Sequence, residues 1–443
     1  MHIRSMPTAP PFAALVFAAL TALACGSAPT VEVPATARPA LSPASSVRAP
    51  APVALLLISL DAVRWDYPER YGMPAFLQLA EDGVRVRELI PVFPSKTFPN
   101  HYSAVTGLYP EHHGVVGNNM FDPVQNAYFG ARDKGAVAVG DWWQGEPIWV
   151  TAERQGQRAA TYFWPGSEAV INGVRPTYYV KFDADVSAQD RIDKVLAWLE
   201  LPAETRPSMV TLYFGDVDRV SHRYGPETAE TRAVVQQVDG YLARLFAALR
   251  ERELFDRMDI VIMSDHGMTT MDPGRIIILE DYIDLGDVEV VDMSCVAMLR
   301  PRADAEERVY RALLGAHPNL HVARKHEVPE RLHYRAHRRI TPIVSWTDPG
   351  WYVIPSRTFM KRFLGSFSHG MHGFDPEVKD MHGIFAARGP SFVRGLEVPA
   401  LEMVHVYELM TRARGLRPAA NDGDPGAVAP MFVGSAPPRA PAE

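Results

Sequence analysis

Aspartate and histidine residues recur in this sequence at positions where their side chains could bind metal ions. They are Asp61, Asp218 with His222, Asp265 with His266, and His372 in a later Gly-Met-His-Gly-Phe-Asp segment. Mixed carboxylate and imidazole ligands suit zinc, and they suit iron or manganese less well. Any one of these aspartates could instead cap a helix. Their joint occurrence favours a metal site.

Three continuous apolar runs predict the elements that position most of these residues. Residues 53–60, 209–214 and 260–263 each have the pattern of a central parallel strand that is buried on both faces. Between the runs, residues 192–199 and 234–249 repeat apolar side chains along one helical face. Alternating strands and helices predict a doubly wound α/β sheet flanked by helices, with its ligand site beyond the carboxyl ends of the strands.

A threonine lies in a segment that could supply a nucleophile. Thr97 is the fourth residue of Pro-Ser-Lys-Thr-Phe-Pro-Asn-His, and a Gly-Asn-Asn-Met-Phe-Asp-Pro segment follows at 117–123. A threonine hydroxyl is a poor nucleophile at neutral pH unless a bound metal lowers its pKa. Thr97 could also cap a helix, and the two roles are compatible.

These segments resemble the nucleotide pyrophosphatase/phosphodiesterase family of the alkaline phosphatase superfamily. Further matches follow in family order over about residues 53–414, including Trp-Pro-Gly-Ser-Glu at 164–168 and Ser-Asp-His-Gly-Met at 264–268. The resemblance implies an alkaline-phosphatase-like, mostly parallel central sheet in a catalytic domain over residues 53–417. The irregular stretch at about 273–357 is interpreted as a smaller inserted region beside the site.

The resemblance also implies a ligand set and a mechanism. One zinc would be held by Asp218, His222 and His372, and a second by Asp61, Asp265, His266 and the Thr97 oxygen. Thr97 would be the nucleophile of a phospho-threonine intermediate, and Asn118 would donate a hydrogen bond to a phosphate oxygen. The histidines left outside this set are His101, His112, His113, His369 and His382.

Several aromatic residues match positions that the family uses for substrate. Phe98 and Tyr213 correspond to rings that sandwich a nucleoside base, and Phe182 stands at a third position where relatives carry tyrosine. Trp164, near Glu168, is a further candidate for the substrate pocket. Phe98, Tyr213 and Phe182 could instead be core aromatics. Lys96, beside the nucleophile, is expected to be solvated, with contact to a distal phosphate as the alternative.

The leading interpretation is a two-zinc enzyme that releases nucleoside 5′-monophosphates. A lipid head-group or choline phosphodiesterase of the same family is the first alternative, and a nucleotide-binding surface lipoprotein without turnover is the second. A sulfatase is disfavoured because that branch needs a cysteine or serine where Thr97 stands. The net charge of -7 excludes a polycationic surface for duplex nucleic acid. No obligate protein partner is inferred.

The ends of the chain differ in composition from its middle. Residues 1–25 have the layout of a secretory signal, and Ala24-Cys25 resembles a lipoprotein cleavage site. Residues 26–52 are predicted to be a tether rich in proline and alanine, and residues 418–443 a flexible tail. The protein is therefore expected to be exported to the periplasm or cell surface and anchored through a lipid on Cys25, with a plain cleaved signal as the alternative. Cys295 is expected to be a small core residue.

Overall fold

The computed structural model describes residues 53–435. The predicted signal sequence, Cys25 and the tether lie outside the described residues, as do residues 436–443. Among the described helices, none combines the length and apolar character needed to cross a bilayer.

The strands form one large sheet and several small ones. In chain order they are β1 (Leu55–Leu60), β2 (Val84–Ile90), β3 (Asn119–Asp122), β4 (Ala127–Gly130), β5 (Ala159–Tyr162), β6 (Tyr178–Val180), β7 (Met209–Phe214), β8 (Asp259–Met263), β9 (Thr269–Thr270), β10 (Ile276–Ile278), β11 (Val288–Asp292), β12 (Val296–Pro301), β13 (Leu320–Arg324), β14 (Ile343–Thr347), β15 (Tyr352–Ile354), β16 (Gly370–Met371), β17 (Gly383–Arg388) and β18 (Leu396–Glu402).

The helices are short, with the exception of the 23-residue helix α8. In chain order they are α1 (Pro74–Glu81), α2 (Thr97–Thr106), α3 (Pro110–His113), α4 (Lys134–Val137), α5 (Ile148–Arg154), α6 (Ala188–Leu199), α7 (Asp216–Tyr224), α8 (Ala229–Glu251), α9 (Glu306–Leu313), α10 (Arg357–Leu364), α11 (His405–Arg414) and α12 (Pro425–Val428).

The large sheet has eight strands in the order β18-β2-β17-β8-β1-β7-β5-β6. Every neighbouring pair is parallel except the two pairs made by β17. Strand β1 shows why the apolar runs are continuous, because Leu55 and Leu57 enter one hydrophobic core while Leu56 and Ile58 enter the other. Helices α2, α5 and α11 contribute to the first core, and α1, α6 and α8 to the second. The predicted mostly parallel α/β sheet is therefore confirmed.

The stretch from 276 to 354 forms a separate group of elements. Strands β11, β12, β14 and β13 make a four-stranded antiparallel sheet, and β10 pairs with β15. This sheet and α9 enclose their own small core, which includes Leu299, Val309 and Ile343. We refer to residues 273–357 as the inserted region.

The predicted flexible tail is a correction, because residues 418–435 are folded. Val428 and Met431 are fully buried in the core shared with α11. Asn421 donates a 2.7 Å hydrogen bond to Glu408, and Phe392 pairs with Phe432. The segment is rich in Ala, Pro and Gly, and this composition suggested flexibility. However, its few large apolar side chains are buried against the rest of the protein.

Candidate active site

The acidic strand ends meet at the carboxyl edge of the large sheet. Asp61 directly follows β1, Asp218 lies in the first turn of α7 after β7, and Asp265 and His266 follow β8. His372 follows β16. Strand β16 pairs with β9, which begins three residues after His266. Parallel neighbours end at the same edge, and the topology therefore gathers side chains that are up to 311 residues apart.

The first ligand group is Asp218, His222 and His372. Asp218 Oδ1 lies 3.2 Å from His222 Nε2 and 3.5 Å from His372 Nε2. Four ligands at zinc bond lengths of about 2.0–2.1 Å have tetrahedral edges of about 3.3 Å. The spacing of these donor atoms therefore fits a zinc ion.

The second group contains Asp61, Asp265, His266 and Thr97. His266 Nε2 lies 2.9 Å from Asp265 Oδ2, 3.5 Å from Asp61 Oδ1 and 3.3 Å from Thr97 Oγ1. His266 also stacks on His372, with ring centroids 3.6 Å apart, so the two groups are neighbours. The structure thus brings all seven of the ligands implied by the family resemblance into one cluster.

Each histidine of the cluster is oriented by a backbone carbonyl. The Nδ1 atom of His372 donates to the Ser95 carbonyl, that of His222 to the Gly370 carbonyl and that of His266 to the Gly267 carbonyl, all at 2.8–2.9 Å. A carbonyl only accepts, so Nδ1 carries the proton and Nε2 presents its lone pair to the cluster. This is the arrangement that metal-ligating histidines require.

The hydrogen bonding of three carboxylate oxygens indicates whether the cluster fits a cation. Asp61 Oδ1, Asp218 Oδ1 and Asp265 Oδ2 are buried, and none of them has a hydrogen-bond partner among the described residues. Burial and the nearby Asp265 and Asp218 carboxylates raise the pKa of Asp61 well above its ordinary value. Buried carboxylates without donors are costly, and a divalent cation would satisfy them. The residues present therefore fit a metal centre.

The pKa values of the histidine rings in the cluster are shifted in different directions. Burial and the neighbouring His266 lower the pKa of His372 well below that of a free imidazole, so its ring is neutral. Burial opposes protonation of His266 and His222 too, but Asp265 and Asp218 respectively raise the pKa of each ring. The same pairing with His222 lowers the pKa of Asp218 to about 2 despite its burial.

His101 is close to the cluster but its ring is already engaged. Its Nδ1 lies 2.9 Å from the Thr97 carbonyl and 3.3 Å from Asp265 Oδ2, and its Nε2 lies 2.8 Å from Ser59 Oγ. Both ring nitrogens therefore have partners within the protein. His101 supports Asp265 and the first turn of α2.

Thr97 and Asn118 lie side by side at the start of a helix. Thr97 is the first residue of α2, Lys96 is the N-cap, and no side chain caps the helix, so the interpretation of Thr97 as an N-cap is wrong. The Asn118 Oδ1 atom accepts a 3.1 Å hydrogen bond from the Phe98 backbone N–H. That bond fixes the amide so that Nδ2 remains as a donor, next to a helix N-terminus that favours anions.

A largely apolar cleft adjoins Thr97. It is lined by Phe98, Tyr213 and Phe182, with Arg132 and Lys134 at its rim. Phe182 is 46% exposed and lies 6.3 Å from the Tyr213 ring. Trp164 is only 1% exposed and donates to the His101 carbonyl, so it is part of the wall and offers little ring surface to a ligand.

Lys96, Arg132 and Cys295 lie near the site, and of the three only Arg132 had no place in the sequence predictions. Lys96 is only 5% exposed and forms an ion pair with Asp292 of the inserted region, so the expectation that it is solvated is wrong. Arg132 lines both the apolar cleft and a second cleft beside Asp218 and His222. Cys295 is buried, which confirms its predicted place in the core.

Comparison with known proteins places this geometry in a family. A model of the "Type I phosphodiesterase / nucleotide pyrophosphatase" family matches residues 55–375. Human ectonucleotide pyrophosphatase/phosphodiesterase family member 7 is 39% identical over 85% of this chain and 83% of its own length. Human family member 1 is also 39% identical over 84% of this chain, but the match spans only 41% of that longer relative.

A solved structure shows the same fold. Murine ectonucleotide pyrophosphatase/phosphodiesterase 5, as an inactive threonine-to-alanine variant in complex with AMP, superposes with a TM-score of 0.81 at 34% identity. The match covers 86% of this chain and 99% of that one. The protein is therefore a hydrolase that cleaves phosphodiester bonds on an alkaline-phosphatase-like sheet. It belongs to the type I phosphodiesterase/nucleotide pyrophosphatase family.

Proposed function

We propose that the protein is a two-zinc nucleotide pyrophosphatase/phosphodiesterase that uses Thr97 as its nucleophile and releases nucleoside 5′-monophosphates. The observation that carries the proposal is the set of three orphaned carboxylate oxygens, which lie around His266 Nε2, an atom that is 3.3 Å from the Thr97 hydroxyl. Zinc held by the two ligand groups would lower the pKa of the Thr97 hydroxyl and neutralise charge on the attacking and leaving oxygens.

The chain's own residues account for the rest of the reaction. Thr97 Oγ1 forms a bond to phosphorus as the bond to the leaving oxygen breaks, and the hydroxyl proton ends on the leaving group. Asn118 Nδ2 donates to a non-bridging oxygen as charge builds there. Water then hydrolyses the phosphothreonine, which frees the monophosphate and restores the hydroxyl.

The cleft lined by Phe98, Tyr213 and Phe182 suits the flat ring of a nucleoside base. The comparison structure holds AMP, which agrees with this assignment. Base stacking contributes about 1–3 kcal/mol per ring and tolerates different bases. Phe98→Ala should therefore raise the KM for nucleotides while leaving that for bis(4-nitrophenyl) phosphate little changed. Equal losses on both substrates would indicate that Phe98 serves only packing.

A turnover panel tests the reaction class. It comprises the 4-nitrophenyl ester of TMP, a dinucleotide, ATP, glycerophosphocholine and 4-nitrophenyl phosphate, each with wild type and Thr97→Ala. We expect turnover of the nucleotide diesters, loss of it in Thr97→Ala, and a diester-to-monoester ratio of specificity constants above about a thousandfold. A preference for the choline diester would establish the head-group alternative, and a ratio near one would mean a phosphatase.

We also propose that the protein is exported and lipid-anchored through Cys25. The proposal rests on the apolar leader and Ala24-Cys25. Labelled fatty acid should enter the wild-type protein and not Cys25→Ser. Export of both proteins without label would show a cleaved signal and no anchor.

A further inference from the structure

Asp292 contacts two residues that are the chain neighbours of Thr97 and Asn118. It ends strand β11 of the inserted region and is 6% exposed. Its Oδ2 lies 2.5 Å from Lys96 Nζ, and its Oδ1 accepts from Asn119 Nδ2 at 3.0 Å and from the Met293 N–H at 3.0 Å. Both carboxylate oxygens are thus occupied by donors from three segments.

The two side chains that Asp292 binds are the chain neighbours of the reacting pair. Lys96 directly precedes Thr97, and Asn119 directly follows Asn118. The Phe98 N–H donates a hydrogen bond to Asn118 Oδ1, so the two segments are also linked directly. One carboxylate therefore ties the start of α2 to the start of β3, which are the two backbones that carry the hydroxyl and the amide.

The surroundings leave Lys96 little freedom to move. A Cβ at Gly373 would lie 3.2 Å from both Lys96 Cγ and Cε and 2.9 Å from Cys295 Sγ, and Gly373 has a φ of +111° that other residues rarely adopt. Cys295 Sγ in turn lies 3.1 Å from the carbonyl of His372. The Lys96 stem is packed between the inserted region and the segment that carries His372.

We propose that Asp292 is a positioning residue, which holds Thr97 and Asn118 in register through Lys96 and Asn119. The proposal rests on the proposed role of Thr97 as nucleophile. It gives the inserted region a function in catalysis, because a nucleophile displaced by about 1 Å can lose about 100-fold in rate. It also explains why a lysine beside the nucleophile adds no net charge to the phosphate site.

The test compares Asp292→Asn, Lys96→Met and the double variant. Asp287→Asn is the matched control, because Asp287 is a buried carboxylate of the same inserted region that pairs with Arg302 and Arg308 and has no contact with the nucleophile segment. Each single variant leaves an unpaired polar partner in the interior, whereas the double variant removes both charges and should fold. Bis(4-nitrophenyl) phosphate is the substrate, and hydrogen exchange of residues 95–98 is the readout that does not depend on turnover.

We expect Asp292→Asn to lower kcat at least about 30-fold with KM within about threefold, and exchange at residues 95–98 to rise. Lys96→Met should lose about as much, and the double variant no more than either single one, since both act through one contact. Asp287→Asn should change neither kcat nor that exchange.

Unchanged kcat and exchange in folded Asp292→Asn, or equal losses in Asp287→Asn, would overturn the proposal. Multiplicative losses in the double variant would also overturn the route through Lys96. A wild type without any diester turnover would defeat the proposed function instead, and the exchange measurement would still decide whether Asp292 orders the segment.

Discussion

Two histidines near the site, His369 and His372, differ in what their side chains contact. His372 is buried, and its Nε2 faces Asp218, while the nearby His369 is exposed and contacts the cluster only through its backbone. Chemical type and chain position are almost the same for the two residues. The tertiary environment separates a ligand from a bystander.

Metal content measures this difference directly. The wild type, dialysed against zinc and then freed of excess metal, should hold two zinc ions per chain by elemental analysis. His372→Ala should retain about one and lose at least about 100-fold in kcat, because an open ligand position weakens the site. His369→Ala, the matched control, should keep both ions and its activity. Equal zinc contents in the two variants would show that His372 is not a ligand.

We expect the charge of Arg132 to distinguish between leaving groups. It is exposed, lines both clefts, and has no ion pair within the part of the chain that the structure describes. The second cleft adjoins Asp218 and His222, and we propose that the leaving group lies on this side because Thr97 belongs to the other ligand group. A free guanidinium there would favour an anionic polyphosphate over a cationic head group.

We expect Arg132→Ala to raise the KM for ATP about tenfold, which corresponds to about 1.4 kcal/mol of binding. The KM for the 4-nitrophenyl ester of TMP, whose leaving group is not a phosphate chain, should change less than about twofold. Arg223→Ala is the control, since this exposed arginine of α7 lies over Tyr224 and lines neither cleft. Steady-state kinetics give both constants, and a parallel rise for both substrates would contradict a role in leaving-group binding.

At the scale of elements, the turn after β8 must place Asp265 and His266 against two other segments. Gly267 follows them directly, and its N–H donates to the Met381 carbonyl at 2.8 Å. A Cβ at Gly267 would collide with the Asp380 carbonyl oxygen and lie 2.9 Å from that of His382. Only glycine permits this close approach of two backbones.

Gly267→Ala should therefore displace the turn and weaken the zinc site that includes His266. We expect a loss of at least about tenfold in zinc affinity, measured by competition with a chromogenic chelator. Gly240→Ala, within α8, is the control, because a Cβ there meets nothing within 4 Å and alanine favours a helix by about 1 kcal/mol. An unchanged zinc affinity in Gly267→Ala would mean that the turn tolerates the shift.

At the scale of the whole molecule, a buried ion pair joins the inserted region to the catalytic body. Asp122, at the end of β3, accepts hydrogen bonds from Arg339 at 2.7 Å and from Arg338. The fully buried Arg339 also donates to the carbonyls of Gly114, Trp142 and Asp141. Burial opposes ionisation, yet the two arginines hold the pKa of Asp122 well below its ordinary value.

The stability from this pair should depend on pH with a defined sign. Because the folded-state pKa is depressed, the contribution is complete above the unfolded pKa of about 3.9 and is lost as pH falls through the folded value. At pH 7, Asp122→Asn should lower the free energy of unfolding by about 3 kcal/mol, since it leaves Arg339 buried with less charge compensation. The difference from wild type should shrink below about pH 4.

Urea unfolding at pH 7 and pH 3.5 measures this difference. Glu81→Gln is the control, because Glu81 is an exposed carboxylate at the end of α1, and it should match wild type at both pH values. A difference for Asp122→Asn that stays constant between the two pH values would show that its ionisation does not stabilise the fold.

The sequence by itself determined the central strands, the α/β class and the carboxylate and histidine residues that meet beyond the strand ends. Strand β1 is apolar except for Ser59 because both of its faces are buried, and such a local pattern is visible without any contact partner. The residues proposed as ligands stand out in the sequence because each follows a strand or belongs to a motif that relatives share. Periodicity and motif order are properties of short segments.

Only the tertiary structure decided which charges meet. Lys96 pairs with Asp292 from 196 residues away, and Asp122 with Arg339 from 217 away, so no local pattern could distinguish these buried pairs from solvated charges. The same holds for His101, whose ring nitrogens are engaged by Ser59 and the Thr97 carbonyl, and for Val428, which is buried at the end of the short helix α12. The partner of a polar group depends on packing between distant segments, and packing is fixed only when the whole chain has folded.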